Sequence, residues 1–187
     1  MTFIAAFEGL PGCGKTTVIG ILANDLRRRG FTVDVVDIDT IGHAPALRAV
    51  ARTYSLGHPA RIFLFWALRL QQHDAMQASN SDIVLADRFW GSTIAFDVYG
   101  NGVPRELLGW VGQHIKRQPD ITFLLEAPLD VVRQRKIAKT MSDLDFARRV
   151  EYGYQQLADE LSWIRVDATQ EPEEVKKHCL EVILPKL

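Results

Sequence analysis

Five short runs of β-branched and aliphatic residues recur along the chain, at Thr2–Glu8, Thr32–Asp37, Asp82–Asp87, Asp120–Glu126 and Ser162–Asp167. Near-continuous apolar runs of this length suit strands buried on both faces. Between them lie amphipathic stretches at Thr16–Arg29, Pro59–Gln77, Pro104–Lys116, Pro128–Lys136, Ser142–Glu160 and Pro172–Leu184, several with proline at the first helical position. The alternation predicts right-handed crossover units, and therefore an α/β fold with a five-stranded parallel sheet and helices on both faces. Such folds bind ligands at the carboxyl ends of the strands, so the residues there become the candidates for chemistry. Gly100–Pro104 reads as a turn and Ala138–Asp143 as a polar break between helices. No repeat, charge block or linker divides the chain, which makes residues 1–187 one domain.

Composition narrows the class. With 187 residues, 47% hydrophobic and 24% charged, the chain falls in the globular range, and a disordered or collagenous reading is excluded. The 22 Lys and Arg against 23 Asp and Glu leave a net charge of −1. That balance predicts no nucleic-acid partner, and any anionic ligand has to be met locally. Cys13 and Cys179 match neither a metal-knuckle nor a redox spacing, so a reduced, cytoplasmic setting is the expectation. The start, Met1–Phe7 followed at once by Glu8, does not read as a signal peptide, and no stretch approaches membrane-spanning length.

The first strand ends in Glu8, and Gly9-Leu10-Pro11-Gly12-Cys13-Gly14-Lys15-Thr16 follows, fitting G-x-x-x-x-G-K-[ST] between a strand and a helix. Glycines let successive backbone N–H groups turn towards phosphate oxygens, the helix N-terminus aims its positive end at them, and the lysine adds a charge. Gly9, Gly12, Cys13, Gly14, Lys15, Thr16 and Thr17 are thus the candidate ATP-binding residues, with the Thr16 hydroxyl as a ligand for Mg²⁺. The loop does not choose among P-loop classes. An Asn-Lys-x-Asp motif and an Asp-x-x-Gly stretch at the third strand are missing, which sets aside Ras-like GTPases, and the chain is short for a helicase or transporter ATPase. A kinase for a small substrate fits the size.

At the end of the third strand Asp87-Arg88-Phe89 places a carboxylate and a guanidinium where ligands bind. Asp87 suits Mg²⁺-bound water or a substrate hydrogen bond, and the planar fork of Arg88 suits a monophosphate. An Asp–Arg structural pair is the competing reading. Phe65 and Arg69, four residues apart, share a helix face, and a ring beside a fork suits a base. Taken alone, Phe65 also reads as a core aromatic, since Phe63, Leu64, Trp66 and Leu68 crowd it.

Taken together these residues resemble the thymidylate kinases, P-loop kinases of deoxynucleoside monophosphates. The resemblance runs through Phe7-Glu8-Gly9, Gly14-Lys15-Thr16-Thr17, Leu64-Phe65 with Arg69, Asp87-Arg88-Phe89, Ser92, Ala95-Phe96, Pro119-Asp120-Ile121-Thr122, the segment around Arg135, Asp145-Phe146, Arg149-Val150, Tyr154 and Asp167-Ala168. It covers nearly the whole chain. The family implies transfer of the ATP γ-phosphoryl group to a deoxynucleoside 5′-monophosphate, most often dTMP, with Mg²⁺ and as a homodimer. Carried over, Lys15 holds the ATP phosphates, Arg88 the acceptor phosphate, and Asp87 organises Mg²⁺ water. Phe65 stacks on the base, Arg69 meets a base carbonyl, Ser92 or Thr93 reads the ring nitrogen, and Phe96 presses on the sugar where a 2′-hydroxyl would point. Arg135, with Arg133 and Lys139, belongs to a short lid around residues 133–143 that closes on the transferring group or the ATP base. A solvated basic helix end is the competing reading for those three.

The chain also departs from the family. Pro11 stands where many members carry an acidic residue that touches the acceptor sugar. Asp37-Ile38-Asp39-Thr40-Ile41-Gly42 offers carboxylates and no matching arginine after the second strand, and Arg48, Arg52 and Arg61 read as solvated helix residues. The lid is shortened between Arg135 and Phe146. Asp97 stands where a neutral polar residue often follows the aromatic, and a carboxylate near the base bears on which pyrimidine is accepted. Two other functions remain open at this level. One is a P-loop kinase with a hydroxyl acceptor, in which Glu8 or Asp87 would act as general base. The other is a nucleotide-binding module with little turnover.

Overall fold

The computed structural model describes residues 1–39, 41–42, 44–53, 58–135 and 143–187. In chain order the elements are β1 (Phe3–Glu8), α1 (Lys15–Arg28), β2 (Val33–Asp37), α2 (Ala44–Thr53), α3 (His58–Ala78), β3 (Ile83–Asp87), α4 (Trp90–Thr93), a π-helix (Ile94–Gly100), α5 (Arg105–Gly112), β4 (Ile121–Glu126), α6 (Leu129–Gln134), α7 (Leu144–Glu160), β5 (Ile164–Asp167) and α8 (Pro172–Ile183), with a 3₁₀ turn at Leu184–Lys186. The five strands form one parallel sheet in the order β2-β3-β1-β4-β5. The sheet is the one the sequence predicts.

Alternation within the strands feeds both faces. Ala5 and Phe7 of β1, with Ile83 and Leu85 of β3, join a core that includes Val18, Leu22 and Leu26 of α1 and Val175, Cys179 and Ile183 of α8. Their neighbours Ile4, Ala6, Val84 and Ala86 point the other way, into a second core with Met76 of α3, Phe89 and Ile115. This explains why β1 and β3 read as unbroken apolar runs: both sides are covered. α1 has its buried residues Val18, Ile19, Leu22, Ala23 and Leu26 at helical spacing, and Arg27 and Arg28 meet the negative end of its dipole. α7 begins where the Asp143 carboxylate accepts from the backbone N–H groups of Asp145 and Phe146, a cap that stabilises a helix by about 1 kcal/mol.

Some expected elements needed correction. The helix expected over Pro104–Lys116 stops at Gly112, Pro128–Lys136 shortens to Leu129–Gln134, and Ser142–Glu160 starts at Leu144. The sequence placed Arg48 and Arg52 on a helix and opened another at Ser92–Asp97 without giving either its bounds, and the division of the second into α4 and a π-helix was not expected. The π-helix is marked by the bond from the Asn101 N–H to the Phe96 carbonyl, five residues back. It lies so close to α7 that neither has room for a side chain at the crossing. A Cβ at Gly100 would stand 2.7 Å from the Phe146 ring and 2.8 Å from Val150, and one at Gly153 would stand 2.7 Å from the Tyr99 ring.

Candidate active site

The carboxyl ends of β1, β2 and β3 meet in a cavity of about 280 Å³ lined by Pro11, Gly12, Gly14, Lys15, Thr16, Thr17, Asp37, Ile38, Asp39, Asp87 and Arg88. A second, larger hollow of about 660 Å³ opens over β4 and β5, between Gly9 and Leu10 on one side and Glu151, Tyr154 and Gln155 of α7 on the other. The catalytic residue types gather in the smaller one.

The loop between β1 and α1 takes its shape from glycine. Gly9 sits at φ 135°, and a Cβ there would stand 2.5 Å from the Leu125 carbonyl oxygen, so a side chain is barred both by conformation and by the neighbouring strand. Gly14 at φ 97° caps α1, which starts at Lys15 with its first N–H groups facing the loop. The Lys15 ammonium is folded back on the carbonyls of Gly9 (3.1 Å) and Leu10 (2.9 Å) and on Cys13 Sγ (3.4 Å). Burial, and then the nearby Arg88 charge, hold its pKa below the usual lysine value.

Thr16 Oγ1 donates to Asp87 Oδ2 at 2.6 Å. A hydroxyl and a carboxylate side by side on the loop and on β3 are hard oxygen donors of the kind Mg²⁺ takes. Among the described residues no group of three or more His, Cys, Asp or Glu could hold a metal unaided. That combination fits Mg²⁺, which is bound through one or two protein oxygens plus the substrate phosphates.

Arg88 has φ 66°, a left-handed conformation that costs a non-glycine residue about 1–2 kcal/mol. Several bonds pin it. Its N–H donates to the Phe7 carbonyl at 2.9 Å, and its own carbonyl accepts from Gln72 Nε2 at 2.8 Å. Among the described residues its guanidinium bonds all leave from Nη1, to the Gly9 carbonyl (2.8 Å), Tyr154 OH (2.8 Å) and Ser92 Oγ (3.1 Å), while the Phe96 ring lies 5.8 Å from Cζ. Burial alone would lower the pKa of Arg88; Tyr154, Asp87 and Glu8 outweigh it and raise it, so the charge is kept.

Beneath Arg88 lies Glu8, 1% exposed. Its Oε1 accepts from the N–H groups of Phe89 (2.9 Å) and Ser92 (3.0 Å), and its Oε2 from Ser92 Oγ (2.5 Å). Ser92 Oγ lies 2.7 Å from Tyr154 OH. Burial raises the Glu8 pKa, against the opposing pull of Arg69, Ser92 and Arg88. Sequence reasoning noted Glu8 only as a possible base and missed this network; a lone acid closing the apolar run Phe3–Phe7 was the available signal.

The remaining candidates spread along α3 and the π-helix. Arg69 is 4% exposed and donates to Gln72 Oε1, while its Nε is buried without a partner among the described residues. Burial lowers its pKa to about 10. Gln72, which sequence reasoning also missed, ties α3 to the ends of β2 and β3 through the carbonyls of Val36 and Arg88. Phe65 is half-buried against Ile38, Ala44 and Leu68. Thr93 is buried on α4, and Phe96 packs against Phe146 and Tyr154. Asp97 is buried, with Oδ2 accepting from Trp66 Nε1 at 2.6 Å. Arg133 is exposed, and Arg135 donates from Nη2 to the Ala168 carbonyl at 3.0 Å, beside β5 rather than in the smaller cavity. Arg61 is exposed. Lys139, with residues 136–142 of the expected lid, lies outside the described residues, as do the side chains of Arg48 and Arg52.

The chain is similar over nearly its whole length to known proteins. The chain is 33% identical to a thymidylate kinase of Desulfovibrio desulfuricans, covering 95% of this chain and 93% of that one. It is 32% identical to a thymidylate kinase of Acinetobacter baylyi, covering 95% and 96%. The fold is shared with the crystal structure of thymidylate kinase from Ehrlichia chaffeensis, at a TM-score of 0.77 and 24% identity over 97% of this chain and 98% of that one. The family profile described as thymidylate kinase spans residues 7–179, from the end of β1, through the phosphate loop and the Asp87-Arg88 corner, into α8. By its sheet, its loop and this extent of similarity, the chain belongs to the thymidylate kinase family.

Proposed function

We propose that this chain catalyses transfer of the γ-phosphoryl group of ATP to the 5′-phosphate of dTMP, giving dTDP and ADP. The observation that supports it most is the meeting of Lys15, Thr16, Asp87 and Arg88 around one cavity. The acceptor phosphate is already ionised, so the site has to align it in line and balance charge rather than remove a proton. The loop amides and Lys15 hold the donor phosphates, exchanging the carbonyls of Gly9 and Leu10 for phosphate oxygens. Arg88 meets the acceptor phosphate with the guanidinium edge away from Nη1. Thr16 and Asp87 would hold Mg²⁺, which neutralises charge on the shared phosphate oxygens when bound. Arg135, beside the loop after β5, closes over the donor with the 133–143 lid and excludes water.

On the acceptor side, Phe65 stacks on the base. Arg69 Nε is a buried donor awaiting an acceptor such as a base carbonyl; leaving such a group unmet costs about 1–3 kcal/mol. With the Ser92 hydroxyl committed to Glu8 and Tyr154, Thr93 is the better reader of the ring nitrogen. The same commitment weighs against a hydroxyl-acceptor kinase, because Glu8 is occupied by three donors and Asp87 by Thr16. Phe63, 63% exposed on α3, and Trp110, 67% exposed on α5, support a homodimer. Among the described residues no helix is long and apolar enough to cross a membrane, and a cytoplasmic setting is part of this proposal.

A coupled ADP-release assay with ATP and Mg²⁺ tests the reading, offering dTMP, dUMP, dCMP, dGMP and thymidine. Turnover with dTMP that Arg88→Ala removes is the expected result. Turnover confined to thymidine, or ATP binding without any turnover, would overturn it.

A further inference from the structure

We infer that Glu8 is a positioning residue for phosphoryl transfer: it sets the direction of the Ser92–Tyr154–Arg88 hydrogen-bond chain and thereby fixes the guanidinium that meets the acceptor phosphate. The inference rests on the function proposed above and deepens it.

The donor order follows from the chemistry of the groups. Glu8 Oε1 is filled by two backbone donors, the N–H groups of Phe89 and Ser92. In its ionised form, which the charges of Arg69 and Arg88 favour against burial, the carboxylate has no proton to give, and the 2.5 Å contact at Oε2 then takes the only hydrogen of the Ser92 hydroxyl. Ser92 Oγ is left with lone pairs alone, which receive the Tyr154 O–H across 2.7 Å and the Arg88 Nη1–H across 3.1 Å. Tyr154 has then given its own hydrogen away and turns a lone pair to Arg88 Nη1 at 2.8 Å. Each step leaves the next group an acceptor, and the chain ends on one nitrogen of Arg88. The Gly9 carbonyl takes one of the two hydrogens of that nitrogen at 2.8 Å, and Ser92 and Tyr154 share the other. Arg88 itself lines the cavity together with Lys15 and Asp87.

Glu8 also acts on the backbone. By accepting from Phe89, the residue after Arg88, and from Ser92 within α4, it holds the segment that leaves the left-handed turn at Arg88. Glutamine has the same shape and keeps an oxygen for the two N–H groups, but its Nε2 would donate to Ser92 Oγ. Ser92 would then donate to Tyr154, and the tyrosine hydrogen would have no acceptor in the chain. One exchange of an oxygen for an NH₂ thus reverses the order that presents Arg88.

Steady-state kinetics of the wild-type chain, Glu8→Gln, Tyr154→Phe and the double variant, with dTMP and ATP varied separately, test this. Glu8→Gln is expected to raise the KM for dTMP about 10-fold or more while the KM for ATP stays within about twofold, since the donor phosphates rest on the loop amides and Lys15. Tyr154→Phe shifts the same constant in the same direction by less. The double variant is no worse than Glu8→Gln alone, because both act through Arg88. A role confined to stability would lower the folded fraction and leave both KM values in place, and that outcome overturns the inference, as does an equal rise in both. If Glu8→Gln does not fold, an unshifted dTMP KM in Tyr154→Phe overturns it instead. A wild-type chain inactive on dTMP overturns the proposed function and this inference together, whereas an active one with unshifted variants overturns the inference alone.

Discussion

Glycine-to-alanine exchange inside a helix ordinarily stabilises it, by about 1 kcal/mol. At Gly153 of α7 the opposite is expected. A Cβ there would stand 2.7 Å from Cγ and Cδ2 of Tyr99 and 2.8 Å from its Cβ. Rotation of the tyrosine moves the ring but not its Cβ, so the π-helix and α7 must separate. Overpacking of this kind costs about 1–3 kcal/mol, and a contact with an atom fixed to the backbone belongs at the upper end. Setting that against the gain in propensity leaves Gly153→Ala about 1–2 kcal/mol less stable. For a chain of this size each kcal/mol moves Tm by about 2–4 °C, so a fall of about 2–8 °C is expected. Gly20 gives the matched control. It lies exposed in the middle of α1, and nothing would stand within 4 Å of its Cβ. Gly20→Ala should therefore raise Tm by about 2–4 °C. Thermal unfolding followed by circular dichroism measures both. A Gly153→Ala chain as stable as the wild type or more so would refute the argument, for it would mean that the two helices do not meet as tightly as these distances require. The same variant should raise the KM for dTMP, because the displaced π-helix carries Phe96, and Gly20→Ala should leave that constant alone.

Other outcomes follow from the same geometry. Lys15→Ala should lower kcat by about 10²-fold or more with Tm little changed, since the ammonium rests on loop carbonyls rather than on a structural anion; loss of cooperative unfolding instead would count against this. Phe96 has no group to bond a 2′-hydroxyl, so dTMP should exceed its ribose analogue in kcat/KM by about 5- to 150-fold, a range set by a cost of about 1–3 kcal/mol for an unmet polar group. Equal rates would show that the ring does not face the sugar. Burial raises the Cys179 thiol from its ordinary 9.0 to about 12. Between those values the unfolded chain gives up a proton that the native chain keeps. Stability from this thiol therefore falls as pH rises through the window, by up to about 1.4 kcal/mol per pH unit. Lys15 and Arg69, with lowered values, act in the opposite direction at high pH. Urea unfolding at pH 8, 9 and 10 should accordingly show a difference in slope between the wild type and Cys179→Ala, and identical slopes would disprove the assignment.

What could be read from the sequence was whatever repeats with a period or sits in a fixed spacing. β1 and β3, buried on both faces, appear as unbroken apolar runs, and the G-x-x-x-x-G-K-T loop carries its own geometry, so the sheet and the phosphate cradle are legible in the sequence. The corner at Asp87-Arg88 was visible for the same reason. Hydrogen bonds across long separations were not. Glu8 and Ser92 lie 84 positions apart, Ser92 and Tyr154 62 apart, and Trp66 and Asp97 31 apart, and no local pattern announces any of these pairs. Ser92 was accordingly one of two residues, with Thr93, expected to read the ring nitrogen, while its hydroxyl is bound to Glu8. The π-helix escaped because apolar periodicity is judged against 3.6 residues per turn, and a wider turn reads as noise.

That wider turn places a constraint on chain length rather than on side-chain identity. Its middle is tied to α3 through Asp97 and Trp66, and its end is lodged against Phe146 and Val150 at Gly100. The turn from Phe96 to Asn101, which holds both anchors, accommodates one residue more than an α-helical turn would. Deleting a single residue would allow regular i→i−4 bonding, but it would swing everything beyond the deletion through about 100° about the helix axis. Phe96 and Gly100 could not then both keep their places. Exchanges of one side chain for another can be absorbed on the solvent side of this segment, whereas gaps of one residue cannot, so within Ile94–Gly100 the count of residues is itself part of the acceptor site.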